Sequence, residues 1–422
     1  MKEKFVDIFD MSYEGAGVGK IDGKVIFVPK TLIGERAKCV IEKETNSFAI
    51  GKVEEILTSS DKRIVPKCPY FDICGGCEFQ HCSQENEKEI KLSILKRELQ
   101  KVGYNGNVDF VESDKRFGYR NKIKLEVCGN KLGFFKSKSH DFFAVEKCVI
   151  ADDQINDALP KIETFLKEND FKNLKNVYVR CIDKKVAICF LFDKNAQKTQ
   201  RNAKKIEILS DFDVFFAFGD ILESDKTQIK NIFGDKFQTK DYGDFVAKYD
   251  ISAFCQINDF VAQKMYELVL ENTNNKRVIN AYSGQGVLTY LISKGAKFVY
   301  GIEYQKTAHE KAEELKNLSS EYKIENICGR VEDEISKVLQ RDKIDAIVLD
   351  PAREGCQNSI LSAINENKID DVLYISCNFS TLVRDLKILN DFYEILQVKI
   401  FNMFPCTANL ETFVKLRRKT DF

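Results

Sequence analysis

A cysteine, an aspartate and a glutamate in the last third of the chain have the types and settings for covalent chemistry. "YISCNFSTLVRD" (374–385) is an apolar strand that ends on Cys377 and breaks into a polar loop. Ligands of an open α/β sheet bind at the carboxyl ends of its strands, so a thiol there is placed to act as a nucleophile. The plainer reading is a buried core thiol, because free cysteine is among the most buried residue types. "IDAIVLDPAREG" (344–355) sets Asp350 at the end of a second such strand, where Pro351 stops the strand and fixes the turn. An N-cap for the next helix is the alternative for that aspartate. "NMFPCTANLET" (402–412) brings Glu411 out of a loop containing Pro405, as a base or as a solvated surface carboxylate.

Upstream, "NAYSGQGVLTY" (280–290) leaves a strand and opens a helix. Gly284 and Gly286 permit a tight turn against which a ligand can lie. Glu303 ends the following strand, where an acid can hold both hydroxyls of a ribose. The glycine pattern is not the full dinucleotide fingerprint, and no lysine is present for phosphates. It therefore favours adenosine without pyrophosphate, hence S-adenosylmethionine, against a purely structural βα turn.

Such residues need a parallel sheet to bring them to one edge. From about residue 251 the rhythm is strand, helix, strand, with strands read at "RVINAYS", "FVYGIEY", "ENICG", "IDAIVLD", "DVLYISC", "EILQVKIFN" and "TFVKLRR". Residues 1–58 are short, glycine-punctuated strands with an Asp-Gly hairpin signal in "IDGKVIFVP", the pattern of a small β-barrel. A polar linker (58–67) leads to an α+β region, 68–250, with a helix over 85–102 and hairpin-like strands. Three units follow from this division: 1–58, 68–250 and 251–422. At 422 residues the length asks for two or three domains.

No apolar stretch approaches a membrane span and the first residues do not resemble a signal peptide, so the expected setting is the cytoplasm without membrane contact. No obligate protein partner is expected. In that reducing setting fourteen cysteines argue for free thiols, metal or catalysis rather than disulfides. With only three histidines, imidazole-rich chemistry is disfavoured. Cys68, Cys74 and Cys77 have spacing C-x5-C-x2-C, with Cys148 further on and Cys82 close by. Four thiolates suit an iron–sulfur cluster or structural zinc. A redox pair at Cys74 and Cys77 is a third reading, although it lacks the expected βαβ context. Residues 115–138 hold eight Lys or Arg against one acid, Glu126, with Phe117, Tyr119, Phe134 and Phe135 interleaved. A strip of this kind can hold phosphates and stack bases, or it is the solvated face of a sheet.

"FCQIN", "YSGQG", "DPAREG", "YISCNFSTLVRD" and "FPCTANLET", in that order, resemble the motif series of the uracil-C5 RNA methyltransferases, and the resemblance covers nearly the whole chain. "YEGAGVGKIDGKVIFVPKTLIGE" is similar to a TRAM domain, an RNA-binding OB-like barrel. "CPYFDICGGC" with the later "EKCVI" resembles the iron–sulfur segment of the rRNA-modifying branch. The resemblance implies a Rossmann-like class I methyltransferase domain behind an N-terminal small β-barrel and an α+β central domain. It implies Cys377 as nucleophile and Glu411 as base. Gln256, Tyr282, Gly284, Glu303 and Asp350 are the implied S-adenosylmethionine site, and Cys68, Cys74, Cys77 and Cys148 the implied ligands of a 4Fe–4S cluster. Cys82 lies outside the family pattern. The implied substrate is a uridine in RNA, 23S rRNA ahead of tRNA. A non-catalytic RNA-binding or assembly factor would need neither Cys377 nor Glu411. The sequence departs from the family pattern at Asn280 and Asn402 (often Asp), Ala352 (a second Pro) and Asn409 (His).

Overall fold

The computed structural model describes residues 3–169, 171–198, 203–224, 226–318 and 323–420. The first unit is a six-stranded sheet of β1 (Glu3–Asp7), β2 (Asp10–Met11), β3 (Ala16–Ile21), β4 (Lys24–Pro29), β5 (Arg36–Glu44) and β6 (Phe48–Thr58). Its order is β1-β5-β6-β4-β3-β2. The sheet curls until β3 lies against β1: a Cβ built on Gly19 would stand 2.2 Å from Val6 Cγ1, so only glycine permits that approach. Val6, Ile26, Val28, Ala37 and Cys39, all fully buried, fill the inside.

After the linker come α1 (Gln84–Gln100), β7 (Val108–Val111), β8 (Lys122–Cys128), β9 (Lys131–Phe135), β10 (Phe142–Ala144) and α2 (Asp153–Glu168). β11 (Leu174–Ile182), β12 (Lys185–Phe192), β13 (Asp213–Phe218) and β14 (Gln228–Phe233) complete a seven-stranded sheet of order β10-β9-β8-β11-β12-β13-β14. Phe190, Phe192 and Phe216 of the sheet pack with Phe165 of α2 in its core. A separate hairpin, β15 (Gln238–Asp241) and β16 (Val246–Tyr249), leads into the last unit.

That unit alternates α3 (Asp259–Thr273), β17 (Arg277–Ala281), α4 (Val287–Ser293), β18 (Phe298–Glu303), α5 (Lys306–Lys316), β19 (Ile324–Cys328), α6 (Val331–Arg341), β20 (Ala346–Leu349), α7 (Asn358–Glu366), β21 (Asp371–Ser376) and α8 (Phe379–Leu389), and ends in β22 (Tyr393–Phe401) and β23 (Glu411–Arg418). The eight-stranded sheet has order β19-β18-β17-β20-β21-β23-β22-β7. Strands β17, β20 and β21 are apolar and almost wholly buried, as parallel strands covered on both faces must be. Side chains alternate between the faces: Ile279, Ile347, Leu349, Val372 and Tyr374 join the core under α6, α7 and α8, while Val278, Val348, Leu373 and Ile375 join that under α3. Strand order reverses at β17, so a crevice opens at the carboxyl ends of β17 and β20.

Residues 84–111 depart from the expected division of the chain at 68 and 251. β7 pairs in parallel with β22 as the outermost strand of the last sheet. Ile90, Ile94, Leu95 and Leu99 of α1 join the core under α8. The boundary moves because α1 finds its apolar partners on the last sheet rather than on the seven-stranded one. Among the described residues, no helix is long and apolar enough to cross a membrane.

Candidate active site

The order β18-β17-β20-β21-β23 lines up five strand ends. Glu303 closes β18, Tyr282 to Gly286 follow β17, Asp350 follows β20, Cys377 follows β21, and Glu411 opens β23. At about 4.8 Å per strand, the row from Glu303 to Glu411 spans roughly 19 Å. Because β23 runs antiparallel, Ser376 pairs with Thr412, so Cys377 and Glu411 are each one residue from that pair, and Glu411 acts on the thiol electrostatically.

The electrostatics of this edge are those of buried acids. Glu411 is only 4% exposed. Burial, then the neighbouring Asp350, push its carboxyl well above the ordinary range, and burial also raises Asp350. Burial pushes the Cys377 thiol up to about 11, Glu411 and Asp350 add to the rise, and Arg353 opposes it.

The loops that carry these groups are held from behind. Asp385, fully buried, accepts from the Cys356 amide at 2.8 Å and the Tyr374 hydroxyl at 2.6 Å. From α8 and its cap, Asn378 Nδ2 and Thr381 Oγ1 donate to the Arg353 carbonyl at 2.9 and 3.2 Å. The arm before Glu411 is tied to α1. Lys91 Nζ, 1% exposed, donates to Glu87 Oε1 at 2.8 Å, Asn402 Oδ1 at 2.9 Å and the Phe404 carbonyl at 3.1 Å. Glu87 also accepts from the Cys406 amide at 2.9 Å and Arg116 Nη2 at 3.3 Å, and the Tyr119 hydroxyl donates to the Pro405 carbonyl at 2.9 Å. The Asn402 departure makes sense here: Lys91 already has Glu87 as its counter-charge, and a neutral amide supplies the further acceptor. Asn280 is likewise satisfied, donating to Thr289 Oγ1 at 2.9 Å. Asn409 lines the larger cavity described below, and Ala352 is exposed.

A narrow cavity of about 90 Å³ lies at the reversal point, lined by Gln256, Asn280, Tyr282, Gly284 and Asp350 among others. Tyr282 adopts φ 61°, a left-handed conformation uncommon for a bulky side chain and seen where a site demands it. At Gly286 (φ 80°) a Cβ would meet that of Ala312 at 2.6 Å, so the turn admits only glycine. A Cβ on Gly284 would meet nothing within 4 Å, which leaves room for a ligand against the backbone. Glu303 accepts from the Gly284 and Gln305 amides at 2.9 and 2.7 Å, which hold its carboxylate beside the Gly284 turn. Three residues that line this cavity each carry a buried polar atom without a protein partner: Asn121 Oδ1, Ser283 Oγ and Gln285 Oε1. The polar lining of this cavity and the open backbone at Gly284, with Glu303 beside it, match part of S-adenosylmethionine in chemistry.

Cys377 opens instead onto a basin of about 810 Å³. Tyr13 and Glu14 of the barrel, Arg353, Phe379 and Asn409 share its walls with Lys30, Arg120, Lys124, Lys136 and Lys147. Tyr13 meets Phe379 edge-on at 5.9 Å, which brings the barrel to within two residues of Cys377. Cys68, Cys74, Cys77 and Cys148 line the same basin. The Cys148 amide and carbonyl are both bound by Asn156 of α2, at 2.8 and 3.0 Å. Four thiols match an iron–sulfur centre as a donor set. Among the described residues, however, no three His, Cys, Asp or Glu side chains stand close enough to hold a metal ion. Cys82 is apart from them, fully buried in the core under α8.

Gln256, Tyr282, Gly284 and Asp350 therefore share one cavity, Glu303 flanks it, and Cys377 and Glu411 follow along the strand ends. The aromatic strip is corrected in part. Tyr119 is 3% exposed and serves the Pro405 carbonyl, whereas Phe134, half-buried against the phenylalanine core, and Phe135 line the basin. Lys122 is paired with Glu223 at 2.7 Å. A count of charges and rings does not say which face of β8 and β9 each residue takes. Arg353, Lys91 and the charged wall of the narrow cavity were missed. Arg353 sits inside "DPAREG", and that position was the signal available for it.

The pattern of the family described as tRNA (Uracil-5-)-methyltransferase matches residues 83–419, and that of the TRAM domain residues 2–53. A Clostridium acetobutylicum protein described as an uncharacterized RNA methyltransferase is 30% identical over 448 aligned residues, covering 99% of this chain and 96% of its own. A Caldanaerobacter subterraneus protein of the same description is 31% identical over 99% of this chain and 98% of its own. Among solved structures, the Pyrococcus abyssi tRNA (uracil-54, C5)-methyltransferase in complex with S-adenosyl-L-homocysteine matches with TM-score 0.79 and 23% identity. The match covers 98% of this chain and 100% of that one.

Proposed function

The chain belongs to the tRNA (uracil-5-)-methyltransferase family, and from that premise we propose that it methylates a uridine of 23S rRNA at C5 through a bond between Cys377 and the base. It is an S-adenosylmethionine-dependent RNA uracil-C5 methyltransferase. The observation that carries the covalent route is that Cys377 and the buried Glu411 each adjoin the paired Ser376 and Thr412 and act on each other electrostatically.

C5 of uracil is a weak nucleophile. The Cys377 thiolate adds to C6, and the C5=C6 electron pair moves toward O4, which makes C5 nucleophilic. S-adenosylmethionine, when bound, supplies an electrophilic methyl group. C5 then carries a methyl and a hydrogen. Glu411 takes that proton, the C–H pair re-forms C5=C6, and the C6–S bond breaks to return the thiolate. Burial and Asp350 make the Glu411 carboxylate a stronger base than a surface glutamate. Arg353 favours the thiolate against the two acids. Gln256, Tyr282, Gly284, Glu303 and Asp350 hold the methyl donor.

Cys377→Ala should bind RNA yet give neither adduct nor product. Glu411→Gln should accumulate a denaturant-resistant protein–RNA adduct carrying the cofactor's methyl label. Normal turnover by Glu411→Gln would assign the base elsewhere, and methylation by Cys377→Ala would end the nucleophile assignment.

The 23S reading rests on the TRAM barrel together with the four-cysteine segment, which Cys68, Cys74, Cys77 and Cys148 would use to hold a 4Fe–4S cluster beside the basin. Transfer RNA is the second reading, favoured by the whole-chain likeness to the Pyrococcus enzyme. Mapping 5-methyluridine in rRNA and tRNA from cells with and without the gene separates the two.

A further inference from the structure

The hairpin β15–β16 and the first turn of α3 bring opposite charges into the narrow cavity. Lys240 and Asp259 both line it, and they pair with each other. Lys240 lies 5.4 Å over the Tyr242 ring, and its side chain retains 19% exposure. We propose that this pair is the receptor for the amino-acid end of S-adenosylmethionine, with Lys240 taking the α-carboxylate, and Asp259 and the Asn121 carbonyl taking the α-ammonium.

The argument starts from the row of strand ends. The ribose acceptor Glu303 fixes the adenosine over β18 and β17, and the methyl must face the uracil at Cys377, three strands away from Glu303. The third substituent of the sulfonium, the amino-acid tail, must then leave sideways. The narrow cavity beneath the hairpin is the space available there, because the basin on the other side is where the base enters. Its charges complement the cofactor's. The cofactor carries a sulfonium, an ammonium and a carboxylate; the cavity presents Asp350, Asp259 and Lys240. A zwitterion inserted between Lys240 and Asp259 exchanges partners without changing the net charge, and charge-assisted bonds replace the one broken. Asn121 adds an independent observation. It lines the cavity, it is 6% exposed, its Nδ2 donates to the Gln256 carbonyl at 2.9 Å, and its buried Oδ1 has no protein partner. An ammonium has three donors, and this orphaned acceptor can take one.

The competing role is structural, since Asp259 in the first turn of α3 also suits the helix dipole, and the pair ties the hairpin down. The inference rests on the S-adenosylmethionine reading, and two ligands separate the failures. Calorimetry on the full chain should compare S-adenosylhomocysteine with 5′-methylthioadenosine, which lacks the amino-acid end. Lys240→Met and Asp259→Asn should each weaken S-adenosylhomocysteine roughly 10- to 100-fold and leave 5′-methylthioadenosine within about twofold. The exchanged pair, Lys240→Asp with Asp259→Lys, should remain weak for S-adenosylhomocysteine, because the rest of the cofactor fixes the tail's direction. Equal losses for both ligands, unchanged S-adenosylhomocysteine affinity, or full recovery in the exchanged pair would overturn the clamp. Failure of the unaltered chain to bind either ligand would instead overturn the cofactor reading.

Discussion

The two cavities at the strand ends are built in opposite ways. The narrow one, about 90 Å³, is walled mainly by residues 240–288 and Asp350, from one sheet edge and the hairpin before it. The basin, about 810 Å³, draws on the barrel, the cysteine segment, β8 and β9, and the loops after β20, β21 and β22. A small ligand of fixed shape is best served by a preformed cleft in one rigid element. A base presented on a polymer needs room, phosphate partners and several walls. Substitutions on the two sides should therefore separate: those of the basin should change RNA handling and leave S-adenosylhomocysteine affinity intact.

The largest effect should come from the tie between α1 and the Glu411 arm. Lys91→Met leaves the buried Glu87 with Arg116 as its remaining cation and strips an acceptor's partner from Asn402. Breaking a buried pair on one side costs about 3–5 kcal/mol, read as the loss of unfolding free energy in urea. In the folded fraction at low temperature, turnover should fall while S-adenosylhomocysteine binds within about twofold. A parallel loss of cofactor affinity would show that the two cavities share one support.

The cysteine segment tests the basin alone. Anaerobically purified protein should be brown with about four irons per chain, and Ser in place of Cys68, Cys74, Cys77 or Cys148 should remove them. Cys82→Ser should keep the iron, because Cys82 lies in the core under α8 and away from the basin. If the segment holds the proposed cluster, its loss should loosen one wall, so RNA affinity should fall by about tenfold with cofactor affinity unchanged. Stoichiometric zinc without iron would replace the assignment.

This difference between the cavities also decided what the sequence could reveal. The strand ends carrying Glu303, Asp350 and Cys377 were readable because buried parallel strands leave short apolar runs with polar stops. The register between Cys377 and Glu411 was not, since nothing in "NMFPCTANLET" says that β23 returns antiparallel beside β21. Lys91 reads as a solvated helix residue until α1 is docked on the last sheet, and Lys240 reads as one charge among many in a hairpin. Tyr119 looked like a base-stacking ring and is a buried prop for the Pro405 carbonyl. Paired charges in tertiary contacts carry no local periodicity, whereas sheet membership does.

The smallest effect concerns the thiol itself, which lines the basin. Cys377 stands up to about 11, chiefly by burial and then by Glu411 and Asp350, so only a small fraction is thiolate near neutrality. Alkylation by iodoacetamide, followed on the Cys377 peptide, should therefore rise about tenfold per pH unit from 7 toward 10. Arg353 is the one group named here that works in the other direction, because a cation favours the charged sulfur. Arg353→Ala should raise the thiol further and slow alkylation at pH 8. Its side chain is exposed, so solvent screens the interaction and the slowing should be only about two- to fourfold. Raising salt should slow the unaltered protein toward the variant's rate and leave the variant nearly unchanged. An Arg353→Ala chain alkylated at the same rate or faster would remove Arg353 from the account of thiol activation and leave the thiolate to be formed only after RNA fills the basin.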